Sequence, residues 1–219
     1  GKGPVPVSDD LFEVLRAASD LSDDSNGAFD VTVGPVVKLW RNTRRTGNWP
    51  SDVALAQARS RVGWKDVRLD AKAQTVSLTT PGMQLDLGGI AKGFAADEAI
   101  LKLRDRGIDR CMIDAAGDIV AWDPPPGKRA WHVFVESRHP APNGGEQSQI
   151  DEIQLRRQAV ATSGDTYQYV EFDGVRYSHI VDPRAGVGVT GSVSVTVVAP
   201  TGMQADALAS ALSVLGEEA

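Results

Sequence analysis

An acid, a glycine pair and a lysine stand together in Asp86-Leu87-Gly88-Gly89-Ile90-Ala91-Lys92-Gly93, residue types suited to holding a charged phosphate compound. A glycine pair at the start of a helix lets a ligand approach the backbone, and the positive end of the helix dipole favours negative charge there. Asp86 precedes the turn and Lys92 follows it, so the segment suits a charged nucleotide better than an apolar ligand. It is not a P-loop, because Phe94 and Ala95 stand where Lys and Ser or Thr are needed after Gly93. Nor does the glycine spacing fit the G-x-G-x-x-G of dinucleotide sites.

Four more segments set Asp, Ser, Thr or His beside glycine or proline at the end of an apolar run. They are Gly27-Ala28-Phe29-Asp30-Val31-Thr32-Val33-Gly34-Pro35, Asp114-Ala115-Ala116-Gly117-Asp118-Ile119, Ala161-Thr162-Ser163-Gly164-Asp165, and Tyr177-Ser178-His179-Ile180-Val181-Asp182-Pro183-Arg184. Side chains at strand ends beside tight turns are held stiffly and stay open to ligand, so five such segments predict a composite site built from loops. The three histidines lack zinc spacing, and His132 alternates with apolar neighbours as an outward strand residue does. Oxygen ligands are better supplied. Asp206 and Ser210 fall on one face of a helix of small residues, a pair that fits a hard cation such as Mg²⁺. On spacing alone, an acid placed near a helix start for the dipole accounts for Asp206 better.

The elements that must position these residues read as α+β, with mixed and antiparallel sheets flanked by helices. Ser8 caps a first helix that ends at the turn cluster before Gly27; helices follow over Val33–Arg44 and Ser51–Val62. Short strands are expected at Val67–Leu69, Thr75–Leu78 and Gln84–Leu87. A long helix then runs to Arg106 and closes on Gly107. Further strands are expected at Arg110–Asp114, Ile119–Trp122, Trp131–Val135, Ala159–Thr162, Tyr169–Phe172, Ser178–Val181 and Ser192–Val198. The polar stretch Arg138–Gln149 reads as a surface loop, and Met203–Leu215 as a final helix.

At 219 residues and 42% hydrophobic content the chain can bury a full core, and it is read as a single domain over 1–219, incomplete at both ends. A net charge of −6 without a basic stripe argues against nucleic acid, and Arg41–Arg45 reads as a solvated helix end. Cys111 sits in an apolar run as a buried small hydrophobe. No apolar run is long enough to span a membrane.

In this order, Gly-Ala-Phe-Asp-Val-Thr-Val-Gly-Pro, Asp-Leu-Gly-Gly-Ile-Ala-Lys-Gly, Ala-Thr-Ser-Gly-Asp, Tyr-Ser-His-Ile-Val-Asp-Pro-Arg and Ala-Asp-Ala-Leu-Ala-Ser (residues 205–210), the chain resembles the ApbE family of FAD:protein FMN transferases from about Val5 to Gly216. The resemblance implies an ApbE-like (T-fold-like) architecture. It also implies a Mg²⁺-dependent enzyme that cleaves FAD, attaches FMN to a Thr or Ser hydroxyl of an acceptor flavoprotein and releases AMP. Carried over by motif, Gly89, Asp206 and Ser210 would hold the metal, with Ser210 standing where the family usually has Thr. Ala28, Phe29, Asp30, Asp86, Lys92, His179 and Ile180 would bind the nucleotide; His179 and Asp206 would be catalytic. FAD pyrophosphatase activity and a non-catalytic FAD-binding module are the alternatives. The resemblance further implies export or membrane attachment through a lipid anchor outside this chain, with the cytoplasm left open. The chain departs from the family's Asn-Ala-Gly-Gly-Asp at Asp114 and Ala116, and its Met-Gly-Thr type segment is not found.

Overall fold

The computed structural model describes residues 3–140, 146–164, 169–190 and 194–216, with backbone alone for 137–140 and 146–148. The chain divides into two compact units: Gly1–Ile90 with Gly164–Ser192 and Ser210–Ala219, and Ala91–Ser163 with Val193–Ala209.

In the first unit, helix α1 (Asp9–Asp24) starts where Ser8 Oγ accepts the Leu11 N–H at 3.3 Å, and it buries Val14, Leu15 and Ala18. Strands β1 (Val5–Pro6), β2 (Val67–Asp70) and β3 (Thr75–Leu78) form an antiparallel sheet in the order β1-β3-β2. Helix α2 (Gly34–Thr46) carries Pro35 in its first turn and stops at Gly47, whose left-handed φ of 72° a side chain would strain. Helix α3 (Asp52–Arg59) is capped by Ser51 and ends earlier than its apolar spacing suggests. Strands β9 (Tyr169–Phe172), β10 (Val175–Asp182) and β11 (Val187–Thr190) form a second antiparallel sheet. Aromatic rings fix α2 on it: Trp40 meets Trp49 edge-on at 5.0 Å, and Trp49 stacks on Phe172 at 4.3 Å. Val36, Trp40, Ala58 and Val181 close this core.

The second unit is a sheet with different partners on its two faces. Helix α4 (Ala91–Arg104) and helix α5 (Gly202–Leu215, counted with this unit through Ala209) supply Ala96, Ile100, Ala205 and Ala209 to one core. The sheet runs β12 (Ser194–Ala199), β8 (Gln158–Gly164), β5 (Asp118–Ala121), β4 (Met112–Ala115). Val120, Ala159 and Ala161 pack on that helical side, with Cys111 buried among them, whereas Ile119, Ala121 and Val160 pack with the hairpin β6 (Trp131–Pro140)/β7 (Glu146–Leu155). This is the period-two alternation of a sheet buried on both faces. By the same alternation Asp118 shares the helical side with Val120.

The structure corrects two expectations. Residues 138–140 and 146–149 continue the β6/β7 hairpin through pairs such as Arg138↔Ser148 and do not form a loop; 141–145 lie outside the described residues. Gln84–Leu87 is no strand; among the described residues its backbone makes one bridge, from Gln84 to Val33, and the Asp86 N–H donates to Val31 O at 2.7 Å. His132 is exposed as expected and pairs with Glu152 across the hairpin. Among the described residues no helix is long and apolar enough to cross a membrane.

The Asp114 and Ala116 departures both fall at the turn between β4 and β5. Ala115 pairs with Asp118, leaving Ala116 and Gly117 as a two-residue loop at φ 56° and 95°. Such a turn needs positive φ at both positions, and Asp114 Oδ1 holds it by accepting the Gly117 N–H at 2.8 Å. Ala116 therefore bears a left-handed strain that glycine would not. Ala116→Gly is expected to raise stability by about 0.5–1 kcal/mol, read as a higher midpoint in chemical denaturation; a lower midpoint would contradict the strain argument.

Candidate functional site

In the first unit the Gly27–Gly34 loop is laced to its neighbours by Asp30. Buried, it accepts the Thr32 N–H and O–H on Oδ1, both at 2.7 Å, and the Trp64 N–H on Oδ2 at 3.0 Å. Thr32 Oγ1 in turn accepts the Gly63 N–H at 2.8 Å. Burial pushes the Asp30 carboxyl up, against those three hydrogen bonds. Its side chain thus organises the loop, while Phe29 turns towards Gly89. A Cβ placed on Gly89 would stand 2.8 Å from Ser210 Oγ and 3.4 Å from the Phe29 ring. Gly89, Ser210 and Phe29 therefore converge, and a side chain at 89 would make the Ser210 hydroxyl shift.

Asp86, at the head of the glycine turn, accepts the Gly88 N–H on Oδ1 at 3.0 Å and pairs through Oδ2 with Arg41 at 2.8 Å. Arg41 is thus more than a solvated helix end, although its side chain remains mostly exposed. His179 lies half-buried where the β10–β11 register shifts between Tyr177↔Thr190 and Val181↔Gly188. Such irregularities interrupt a strand's regular alternation, so strand position alone does not fix the role of His179. Ser178 Oγ accepts the Ile180 N–H at 3.0 Å inside the same irregularity. Asp165 falls outside the described residues.

A cavity of about 370 Å³ is lined by Gly27 and Asp30 together with Trp64, Arg59, Arg184 and Pro183. Of the expected site residues it takes in Asp30 alone, so it is not where the glycine turn and Ser210 meet.

The second unit holds Lys92, Asp118 and Asp206. Lys92 is the second residue of α4, and its ammonium lies 2.6 Å from Asp118 Oδ2, on a side chain only 4% exposed. Asp206 is 3% exposed and accepts the Gly93 N–H at 3.2 Å. Burial, reinforced by the charge of Asp118, pushes its carboxyl up to about 6 from 3.8, while the Gly93 N–H and Lys92 act the other way. Two buried carboxylates therefore share one ammonium, a local excess of negative charge that a cation would relieve. Asp118 is the residue that sequence reasoning passed over. The alternation that sets it beside Val120 was the available signal.

The α5 helix can stand here because α4 prepares its start. Asp97 accepts the N–H groups of Gly202 at 2.7 Å and Met203 at 2.9 Å, one on each carboxylate oxygen. This caps the helix and fixes the rotation that turns Asp206 towards Gly93. Ser210 follows Asp206 by one turn on the same helix.

The profile of the ApbE family matches residues 1–219. The chain is 35% identical over 220 residues to the FAD:protein FMN transferase of Haemophilus influenzae, covering 98% of this chain and 63% of that protein. It is 36% identical over 232 residues to that of Treponema pallidum, covering 100% and 63%. Among solved structures, the flavin transferase ApbE from Vibrio cholerae superposes with a TM-score of 0.85 at 34% identity, over 100% of this chain and 68% of that one. The ApbE protein of Thermotoga maritima gives 0.84 at 35% identity, over 98% and 68%. The chain spans a little under two thirds of the length of the curated relatives it matches. With the motifs in order, the α+β architecture shared with solved relatives and the profile matched from end to end, the chain belongs to the ApbE family.

Proposed function

We propose that these residues carry the transfer site of an FAD:protein FMN transferase. FAD is cleaved at its pyrophosphate, FMN passes through its phosphate to a Thr or Ser hydroxyl of a target flavoprotein, and AMP leaves. The observation that carries this reading is the identity of 35% and 36%, over nearly the whole chain, to proteins named for that activity.

A divalent cation fits the residues present. Among the described residues no three His, Cys, Asp or Glu side chains gather as a metal cluster. Asp206 nonetheless offers a buried carboxylate short of positive charge, with the hydroxyl of Ser210 one turn on and the backbone oxygen of Gly89 as the remaining hard oxygen ligands of this proposal. Mg²⁺ held there would withdraw charge from the pyrophosphate and make the phosphorus open to attack.

The chain's own residues do the rest. Ala28, Phe29, Asp30, Asp86 and the backbone of Ile180 hold the nucleotide, and the Lys92 ammonium stands by its phosphates. The acceptor oxygen bonds to the FMN phosphorus as the bond to the bridging oxygen breaks, and that oxygen departs with AMP. The hydroxyl proton passes to a base, for which His179 or a carboxylate is suited.

Incubation of the full-length protein with FAD, Mg²⁺ and a target bearing an acceptor Thr tests the reading. A flavin-fluorescent target band in a denaturing gel is expected, with AMP released in equal amount. AMP and FMN without labelling would replace it with FAD hydrolysis. Tight FAD binding with neither product would leave a binding module.

A further inference from the structure

We infer that Asp118 is a positioning residue that keeps the Lys92 ammonium off Asp206, and so keeps Asp206 available to a divalent cation. The inference rests on the reading of Asp206 as a metal ligand.

The geometry is a division of positive charge between two acids. Asp118 and Asp206 are both buried, and Lys92 is the ammonium that acts on both of them. The close contact of the ammonium is with Asp118, at 2.6 Å. That contact is one of charge and not of hydrogen-bond alignment, since Asp118 Oδ2 makes no hydrogen bond of regular angle. Asp206 receives a backbone donor instead, the Gly93 N–H at 3.2 Å. A backbone N–H stabilises a carboxylate without neutralising it, so Asp206 keeps its demand for a cation.

Lys92 and Gly93 are adjacent, so the lysine stem starts beside the carboxylate that Gly93 binds. A flexible four-carbon stem carrying three rotatable donors can fold back onto that carboxylate once Asp118 no longer claims it. The ammonium would then fill the place of a metal. Asp118 is held to the task by the fold: strand alternation sets it on the helical side of the sheet with Val120, and the β4–β5 turn begins next to it. A carboxylate buried to this degree strongly disfavours loss of its countercharge, which is why Lys92 stays.

The test is a double-mutant cycle read by the Mg²⁺ concentration that half-saturates the rise in melting temperature of the whole chain, without FAD. Asp118→Asn is expected to raise that concentration about tenfold or more. Adding Lys92→Met to Asp118→Asn is expected to restore it to within about threefold of the unsubstituted protein, whereas Lys92→Met alone moves it by less than about threefold. Asp118→Ser, smaller and neutral, gives the same expectation by a second route. If Asp118 acted only through its field, Lys92→Met would tighten Mg²⁺ by the same factor with and without Asp118, and equal factors overturn the inference. An unchanged half-saturation in both Asp118 variants overturns it too. Absence of any Mg²⁺ effect on the unsubstituted protein removes the metal reading itself, and is told apart from the other failures by that control.

Discussion

Asp206→Asn is expected to lower Mg²⁺-dependent FAD turnover by at least about a hundredfold while leaving the metal-free protein as stable as before or more so at pH 7.5. Loss of activity with loss of fold is the common outcome at a buried residue, and here the two should separate. The Asp206 carboxyl is pushed up to about 6 from 3.8, chiefly by burial. The folded state therefore favours its protonated form. Asp206 contributes its full share of stability below pH 3.8, loses it as pH rises towards about 6, and contributes least above that. A shift of about two units corresponds to roughly 3 kcal/mol, an order of magnitude only. Asparagine removes the charge and retains an oxygen for the Gly93 N–H. The metal-free wild type should thus lose stability relative to Asp206→Asn between about pH 4 and 6.

Mg²⁺ bound at Asp206, as proposed, would reverse the balance, because a cation binds the deprotonated form. Its rise in melting temperature should be large at pH 7.5, shrink as pH falls through about 6, and be absent in Asp206→Asn at every pH. Turnover and the Mg²⁺ shift should vanish together. Retained turnover in a well-folded Asn variant would remove Asp206 from the metal site.

The sequence made the helices and the order of motifs legible, because capping residues and apolar spacing act locally. Ser8 and Ser51 bind the N–H groups three residues on, and Gly107 ends α4 at a φ of 78°. The β6/β7 hairpin was legible only at Trp131–Val135, the start of β6. Its outer half is polar on both sides, and Phe134 and Ile150 are 67% and 70% exposed, so alternation carries no burial signal there. Gln84–Leu87 failed in the opposite way. The pattern looks like a strand, but Gly34 crowds its backbone so closely that an added Cβ would lie 2.6 Å from Gln84 O, and only one bridge forms.

In the site, motif resemblance supplied residue names, and the fold supplied their relations. That Gly89 faces Ser210, or that Lys92 is claimed by Asp118, depends on contacts between distant segments that no local pattern encodes. Asp30 illustrates the limit. An acid in a glycine loop reads as a ligand, and no local pattern tells that its carboxylate also accepts from Thr32 and Trp64 and so holds the loop.

Gly93→Ala is expected to destabilise the protein by about 3–5 kcal/mol, lowering the melting temperature by roughly 10 °C or preventing soluble accumulation. Helix propensity predicts the reverse, since alanine in a helix is favoured over glycine by about 1 kcal/mol. Packing decides the sign. A Cβ at Gly93 would stand 2.0 Å from Gly202 O, 2.3 Å from Gly202 C and 2.7 Å from Met203 N. All three are backbone atoms, so no side chain can swing aside. The contact is reciprocal, as a Cβ at Gly202 would lie 2.6 Å from Gly93 O. To admit one methyl group, α4 and α5 must separate. That stretches the Asp97 cap and the Gly93–Asp206 bond and opens the core around Ala96, Ala205 and Ala209. Gly88→Ala in the same motif is the control, for the added Cβ would meet only the carboxylate tip of Asp86 at 2.9 Å, which can move. Thermal denaturation of the two variants side by side should show a large loss for Gly93→Ala and a small one for Gly88→Ala. Equal losses would remove the helix crossing as the reason for the last glycine of the motif. The expected inequality would assign Gly93 to the packing that brings Lys92 within reach of two buried acids.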